Sequence, residues 1–166
     1  MQSVVLIPSL NPDEKLIRLL EGLHELDIRD ILLVDDGSKP ETKHYFEQAR
    51  QMGCRVVTHA VNLGKGRALK TGFNAFLNLF PDRPGVVMAD ADGQHSPQDI
   101  LKVGRAMEAQ PGIMIMGCRD FPRRMCLSNR ALAIRLPARY SAFWQGKSCP
   151  IRKQACVVCP NKQCPG

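Results

Sequence analysis

The chain has 166 residues, 44% hydrophobic and 23% charged, with a formal net charge of +7. That length suits one domain whose core needs neither disulfides nor a structural metal. No apolar run approaches the roughly 18 residues of a membrane span, and Met1-Gln2-Ser3 shows no basic leader region, so the expected location is the cytoplasm.

Up to residue 118, apolar runs alternate with amphipathic stretches, the pattern of βαβ units. Val4-Val5-Leu6-Ile7 reads as the first strand. Asn11 then takes the N-cap position, with Pro12 first and Glu14 third in the helix. Leu16, Leu19, Leu20 and Leu23 mark one face of that helix. Ile31-Leu32-Leu33-Val34 predicts a second strand, residues 41–52 a second helix and residues 55–58 a short third strand. Leu69, Phe73, Phe76, Leu77 and Phe80 form the apolar stripe of a helix starting at about Gly66. A strand at 86–89, a helix over 97–110 and a strand at 113–116 complete the series. Right-handed crossovers then give an α/β fold, a mainly parallel Rossmann-like sheet with helices on both faces.

Two of these strands end in acids. Val34 runs into Asp35-Asp36-Gly37-Ser38, and Ala89 runs into Asp90-Ala91-Asp92-Gly93-Gln94. Ligands of parallel sheets bind outside the carboxyl ends of the strands. The two tips are therefore a candidate seat for a divalent cation and for nucleotide or sugar hydroxyls. Taken alone, Asp35 and Asp36 are explained equally well by ordinary turn chemistry. Asp90 and Asp92 are sharper, because carboxylates two residues apart can straddle a hard cation, with Gln94 adding a neutral oxygen. Mg²⁺ or Mn²⁺ so held would also bind substrate phosphates; a solvated acidic turn is the plainer alternative.

Asn62-Leu63-Gly64-Lys65-Gly66-Arg67 stands at a helix start, where backbone N–H groups and Lys65 favour phosphate. It lacks P-loop spacing, and Leu69 occupies the third glycine position of a dinucleotide fingerprint. A flexible helix entry fits it as well. His95, after the acidic loop, could face a ligand, with a solvated loop histidine the plainer reading, and Met114 and Met116 read as packing residues.

Together these motifs resemble the family 2 inverting glycosyltransferases of the GT-A fold, most of all the polyprenyl-phosphate (dolichyl-phosphate) sugar synthases. The likeness runs from residue 3 to about residue 121: Ile7-Pro8, Val34-Asp35-Asp36-Gly37-Ser38, Asn62-Leu63-Gly64-Lys65-Gly66, Asp90-Ala91-Asp92-Gly93-Gln94 and Gly117-Cys118-Arg119. The resemblance implies that Pro8, Asp35 and Asp36 line the nucleotide pocket of a nucleoside-diphosphate sugar. It implies that Asp90 lies near ribose or metal, and that Asp92 and Gln94 ligate Mg²⁺ or Mn²⁺ on the diphosphate. It puts Arg119 at an acceptor or donor phosphate. The implied partners are the sugar donor and a lipid-phosphate or glycan acceptor, as in cell-envelope glycan synthesis, at the cytoplasmic membrane face in the intact parent. A polyprenyl phosphate has a second pKa of about 6 and is largely ionised at neutral pH. It needs positioning and charge neutralisation rather than a protein base.

Beyond residue 121 the composition changes. Residues 1–118 hold 13 Lys/Arg against 15 Asp/Glu, whereas residues 119–166 hold 10 basic residues against Asp120 alone. Cys126, Cys149, Cys156, Cys159 and Cys164 all fall in this second part. Cys156-x-x-Cys159 suggests zinc, and the basic tail suggests a nucleic-acid arm. A shift of reading frame near residues 121–124 explains the segment more simply. Joining the last base of each codon to the first two of the next turns Met125-Cys126 into Val and Trp144-Gln145 into Ala. The same frame permits S-D-T-Q-T-G-L-R-G across residues 149–158, which resembles the family's acceptor-side motif. The expectation is a donor-binding half over 1–121 and a non-homologous, poorly packed tail over 122–166, with no zinc and no nucleic acid. Pro137, Pro150, Pro160 and Pro165 interrupt its helices, leaving at most loose helix around residues 129–144.

Two other classes compete with a transferase. One is a truncated, non-catalytic nucleotide-sugar-binding fragment. The other is a sugar-phosphate nucleotidyltransferase, which would open with a glycine-rich basic loop that is missing around residues 8–11.

Overall fold

A computed structural model describes residues 1–110, 114–117 and 155–158 of the chain. Its elements are β1 (Val4–Ser9), α1 (Glu14–Glu25), β2 (Ile31–Asp35), a 3₁₀ turn (Pro40–Thr42), α2 (Lys43–Gln51) and β3 (Arg55–Thr58). They continue through α3 (Lys65–Leu79), β4 (Val86–Met88), α4 (Pro97–Ala109), β5 (Met116–Gly117) and β6 (Ala155–Val158). The sheet order is β3-β2-β1-β4-β6-β5. The first four of these strands run parallel, with Ser9 level with Asp35 and Asp35 level with Thr58.

Strand alternation divides the core in two. Val5, Ile7, Ile31, Leu33 and Val87 face α1, α2 and α4. Val4, Leu6, Leu32, Val34 and Val86 face α3. The sides follow from connection handedness: the chain steps from β1 to β2 to β3 in one direction, then α3 carries it back across the sheet to β4. The order therefore reverses beside β1, and the crevice between the tips of β1 and β4 is where an open α/β sheet binds ligands.

Three local expectations change. The first helix is capped by Asp13, whose carboxylate accepts the Lys15 N–H, rather than by Asn11. Asn11 instead adopts φ 50°, a left-handed conformation that Asn tolerates. Its N–H donates to Ser38 Oγ and its side-chain oxygen accepts the Lys39 N–H, stitching the β1 loop to the β2 loop. The second helix opens with a 3₁₀ turn, because Pro40 suits the first position of a helical turn. The strand expected at 113–116 is observed at Met116–Gly117.

One short segment of the tail departs from expectation. Ala155–Val158 is a strand, antiparallel to β4 with Val86 opposite Val158 and Val87 opposite Val157. Four residues show too few alternations for a strand to be read from sequence, but β4 offers an edge that needs pairing. The loose helix expected at 129–144, the prolines and the remaining tail cysteines lie outside the described residues.

Candidate functional site

The loops after β1, β2, β3 and β4 enclose a cleft of about 560 Å³ at the carboxyl end of the sheet. Pro8, Asp36, Lys65, Asp90 and Asp92 all line it. Residues as far apart in the chain as Pro8 and Asp92 thus meet on one surface. Asp35 is not among the lining residues. Consecutive strand residues point to opposite sides, and Asp35 is buried with Oδ1 accepting the Ser38 N–H. Its work is to close the loop that carries Asp36. Gly37 makes that loop feasible: it sits at φ 74°, and a Cβ there would lie 2.2 Å from the Val61 carbonyl carbon.

Asp36 is 3% exposed yet lines the cleft. Its Oδ1 accepts hydrogen bonds from His59 Nδ1 at 2.8 Å and from the Leu63 N–H at 3.0 Å. Burial by itself pushes this carboxyl up; bonds from His59, Leu63 and Gly64, with the nearby imidazole, outweigh it and hold Asp36 below the usual carboxylate range. An ionised carboxylate only accepts, so the proton facing it belongs to His59 Nδ1. His59 Nε2 is in turn 2.9 Å from Thr71 Oγ1 on α3. The result is an anionic acceptor fixed from two elements.

At the β4 tip the arrangement is looser. Asp90 is half-buried and Asp92 exposed. The Asp90 N–H donates to Nδ1 of His95, which is 8% exposed, so His95 braces the loop from inside rather than standing in solvent. The Asp90 carboxylate meets Lys65 Nζ at 2.7 Å. Asp92 accepts the Gln94 N–H at 3.0 Å and the Gln94 side-chain amide at 2.5 Å. Gln94 thus turns its NH₂ toward Asp92 and does not line the cleft. Lys65 begins α3, whose N-cap is Gly64 at φ 88° with no side-chain cap. A Cβ on Gly64 would touch nothing within 4 Å, so the chain there is uncrowded, and its N–H is already taken by the Asn62 side-chain oxygen.

No trio of His, Cys, Asp or Glu is gathered to hold a metal among the described residues. The donor set still suits Mg²⁺ or Mn²⁺, which keep waters and bind through one or two carboxylates together with substrate phosphates. Asp90 and Asp92, both lining the cleft, are the residues that could hold such an ion, with Gln94 beside them. Arg119 lies outside the described residues.

Sequence reasoning passes over three residues that matter here. Ser9, at the tip of β1, lines the cleft and is 5% exposed, and its hydroxyl has no hydrogen-bond partner. A buried orphan hydroxyl facing a cleft marks a place for a polar ligand atom. Lys15 lines the same cleft and pairs with Asp13 at 3.4 Å. His59 is the third, and its position directly after β3 is the one signal the sequence holds for it.

Residues 4–158 match the family described as Glycosyl transferase family 2, a match that continues past residue 121 and takes in β6. An uncharacterized protein of Methanocaldococcus jannaschii is 34% identical over 132 residues, covering 80% of this chain and 52% of the relative. The UDP-N-acetylglucosamine–dolichyl-phosphate N-acetylglucosaminyltransferase of Methanococcus voltae is 32% identical over 113 residues, 60% of this chain and 44% of that enzyme. The chain therefore spans about half the length of such relatives. Among solved structures, glucosyl-3-phosphoglycerate synthase of Mycobacterium tuberculosis, in complex with Mn²⁺, UDP and glucosyl-3-phosphoglycerate, superposes with a TM-score of 0.50. That likeness covers 66% of this chain and 40% of the synthase at 21% identity, and it speaks for the fold.

Proposed function

The chain belongs to glycosyl transferase family 2, and on that footing we propose that it moves a sugar from a nucleoside-diphosphate donor to a lipid-phosphate acceptor, with inversion and with Mg²⁺ or Mn²⁺. The observation that carries the reading is the convergence of Pro8, Asp36, Lys65, Asp90 and Asp92 on one cleft. Asp36, ionised and fixed by His59, accepts an N–H or hydroxyl of the nucleoside. Ser9 Oγ supplies a second polar contact at the same wall. Pro8 forms the apolar edge.

Asp90 and Asp92 would hold a divalent ion in the cleft. Bound there, it would supply Lewis-acid stabilisation of the leaving diphosphate, a role worth several kcal/mol at the transition state. Lys65 and the N-terminus of α3 add positive potential for the same phosphates. Arg119 is assigned to neutralising a phosphate of donor or acceptor.

The acceptor class is drawn from the Methanococcus voltae relative, whose name specifies dolichyl phosphate. A phosphate dianion attacking the anomeric carbon from the face opposite the diphosphate inverts that centre without a protein base. No helix among the described residues is long and apolar enough to cross a membrane. A polyprenyl-phosphate acceptor is itself lipid-anchored, so this proposal puts the reaction at a membrane surface, on its cytoplasmic side.

Calorimetric titration of UDP-N-acetylglucosamine and GDP-mannose, with and without Mn²⁺, tests donor binding. Affinity for one donor that rises with metal supports the reading, and no binding under either condition refutes it. Sugar transfer to a polyprenyl phosphate then distinguishes an enzyme from a donor-binding fragment.

A further inference from the structure

Asp90 and Asp92 lie two residues apart, but their carboxylates have different partners. Asp92 is tied to Gln94, its near neighbour, through the backbone and side-chain amides. Asp90 is tied across the cleft to Lys65, 25 residues earlier in the chain. The two ends of this ion pair are held differently. The backbone of Asp90 is fixed by the buried His95. The Lys65 ammonium rides on a four-carbon stem that is 64% exposed, from the first position of α3. The acid is anchored and the cation is mobile.

We propose that Lys65 is the resident counter-cation of the cleft and makes it select a metal–diphosphate complex over free metal. A bare divalent ion approaching Asp90 must displace the ammonium and leave it without an anion. An ion that arrives on a diphosphate brings the displaced ammonium a new anionic partner, and the adjacent N-terminus of α3 favours negative charge as well. Lysine suits the exchange: it is a compact, strongly hydrated point charge with three rotatable donors, not a fork committed to one carboxylate. The pair is exposed enough for water and salt to weaken it, so the exchange needs little energy. The unpartnered hydroxyl of Ser9 marks the same cleft as one built for a polar ligand. Donor and metal then bind as a unit, and neither carboxylate is left facing another anion alone. This assignment rests on the nucleotide-sugar reading above.

The test follows Mn²⁺ by electron paramagnetic resonance, using the full chain with Mn²⁺ alone and with Mn²⁺ plus UDP. Wild type is expected to bind free Mn²⁺ weakly and to bind it more tightly when UDP is present. Lys65→Met should raise the affinity for free Mn²⁺ by about 5-fold, the upper worth of an exposed ion pair, and should narrow the gap between the two conditions. Lys65→Arg should return free Mn²⁺ affinity toward the wild-type level. If wild type shows the UDP dependence but Lys65→Met binds free Mn²⁺ no better, this inference fails and the glycosyl-transfer reading survives. If wild type shows no UDP dependence at all, both fail together. Melting curves of the variants, expected to match wild type because Lys65 is exposed, separate a binding effect from unfolding.

Discussion

The two walls of the cleft are built on opposite principles. On the β2–β3 side, Asp36 is 3% exposed and receives hydrogen bonds from His59 and Leu63, with Thr71 behind the imidazole. On the β4 side, Asp90 and Asp92 hold their carboxylates in the open, linked to Lys65 and Gln94. A buried charge is tolerable only when hydrogen-bonded, and the bonds that make it tolerable also make it rigid. An exposed charge is free to exchange partners. The rigid wall is therefore suited to reading an uncharged feature such as a nucleoside, and the open wall to admitting and releasing a metal diphosphate.

Breaking the open wall should have the largest effect on binding and almost none on folding. Asp92→Ala is expected to abolish the metal-dependent gain in donor affinity while leaving the melting temperature within about 2 °C, as for a surface substitution. Calorimetry with and without Mn²⁺ measures it, and an unchanged metal dependence removes Asp92 from the site. Asp36→Ala should do the reverse in kind. It leaves the His59 and Leu63 donors inside the wall without their acceptor, a loss of about 2–3 kcal/mol by urea denaturation, and it weakens donor binding whether or not metal is present. If stability is untouched, the contrast between the walls is wrong.

Gly72→Ala sharpens the comparison from beneath. A Cβ at Gly72 would lie 2.5 Å from Leu6 Cδ1, so the buried Leu6 side chain or α3 itself must give way. Overpacking of that kind costs about 1–3 kcal/mol. Because α3 carries both Thr71 and Lys65, donor affinity should fall along with stability.

The smallest effect is that of pH. Burial pushes the Glu108 carboxyl up, but hydrogen bonds from Ser3 and Gln2 outweigh it and hold the group below its ordinary 4.5. Asp36 is likewise held below 3.8. Depressed folded-state values mean that both contributions are complete above the unfolded values and are lost as pH falls through the folded ones. On account of these two carboxyls, urea midpoints should decline as pH falls below about 4.5. Glu108→Gln should flatten part of that decline; an unaltered curve would show that the clamp between α4 and β1 adds no charge-dependent stability.

Much of the fold was legible because its signals are local. The apolar runs at residues 4–7, 31–34 and 86–88 name buried parallel strands, and the leucines of α1 name its buried face. The strand-end acids were legible for the same reason, as charges directly following apolar runs. What stayed hidden depends on partners far along the chain. Asn11 reads as a cap but serves as a stitch to residues 38 and 39. His95 reads as solvated but lies under the Asp90 backbone. Ala155–Val158 shows no strand period, yet it pairs with β4. Resequencing the gene across codons 118–128 checks the reading-frame expectation for that tail. A changed base count there marks a sequencing error, and an unchanged one leaves a shift carried by the gene itself.

The order of residue types along the chain determined by itself which segments are strands, which helix faces are apolar and which loops carry acids, since each depends on neighbours within a few positions. It also determined the family, because short motifs in a fixed order survive in the chain as text. Only the tertiary structure decided that Asp36 turns to the cleft while Asp35 turns away, that His59 and Thr71 stand behind Asp36, and that Lys65 reaches Asp90. Those choices arise where loops from four strand tips meet, and charge pairing acts through a few ångströms of space regardless of the number of residues between the partners.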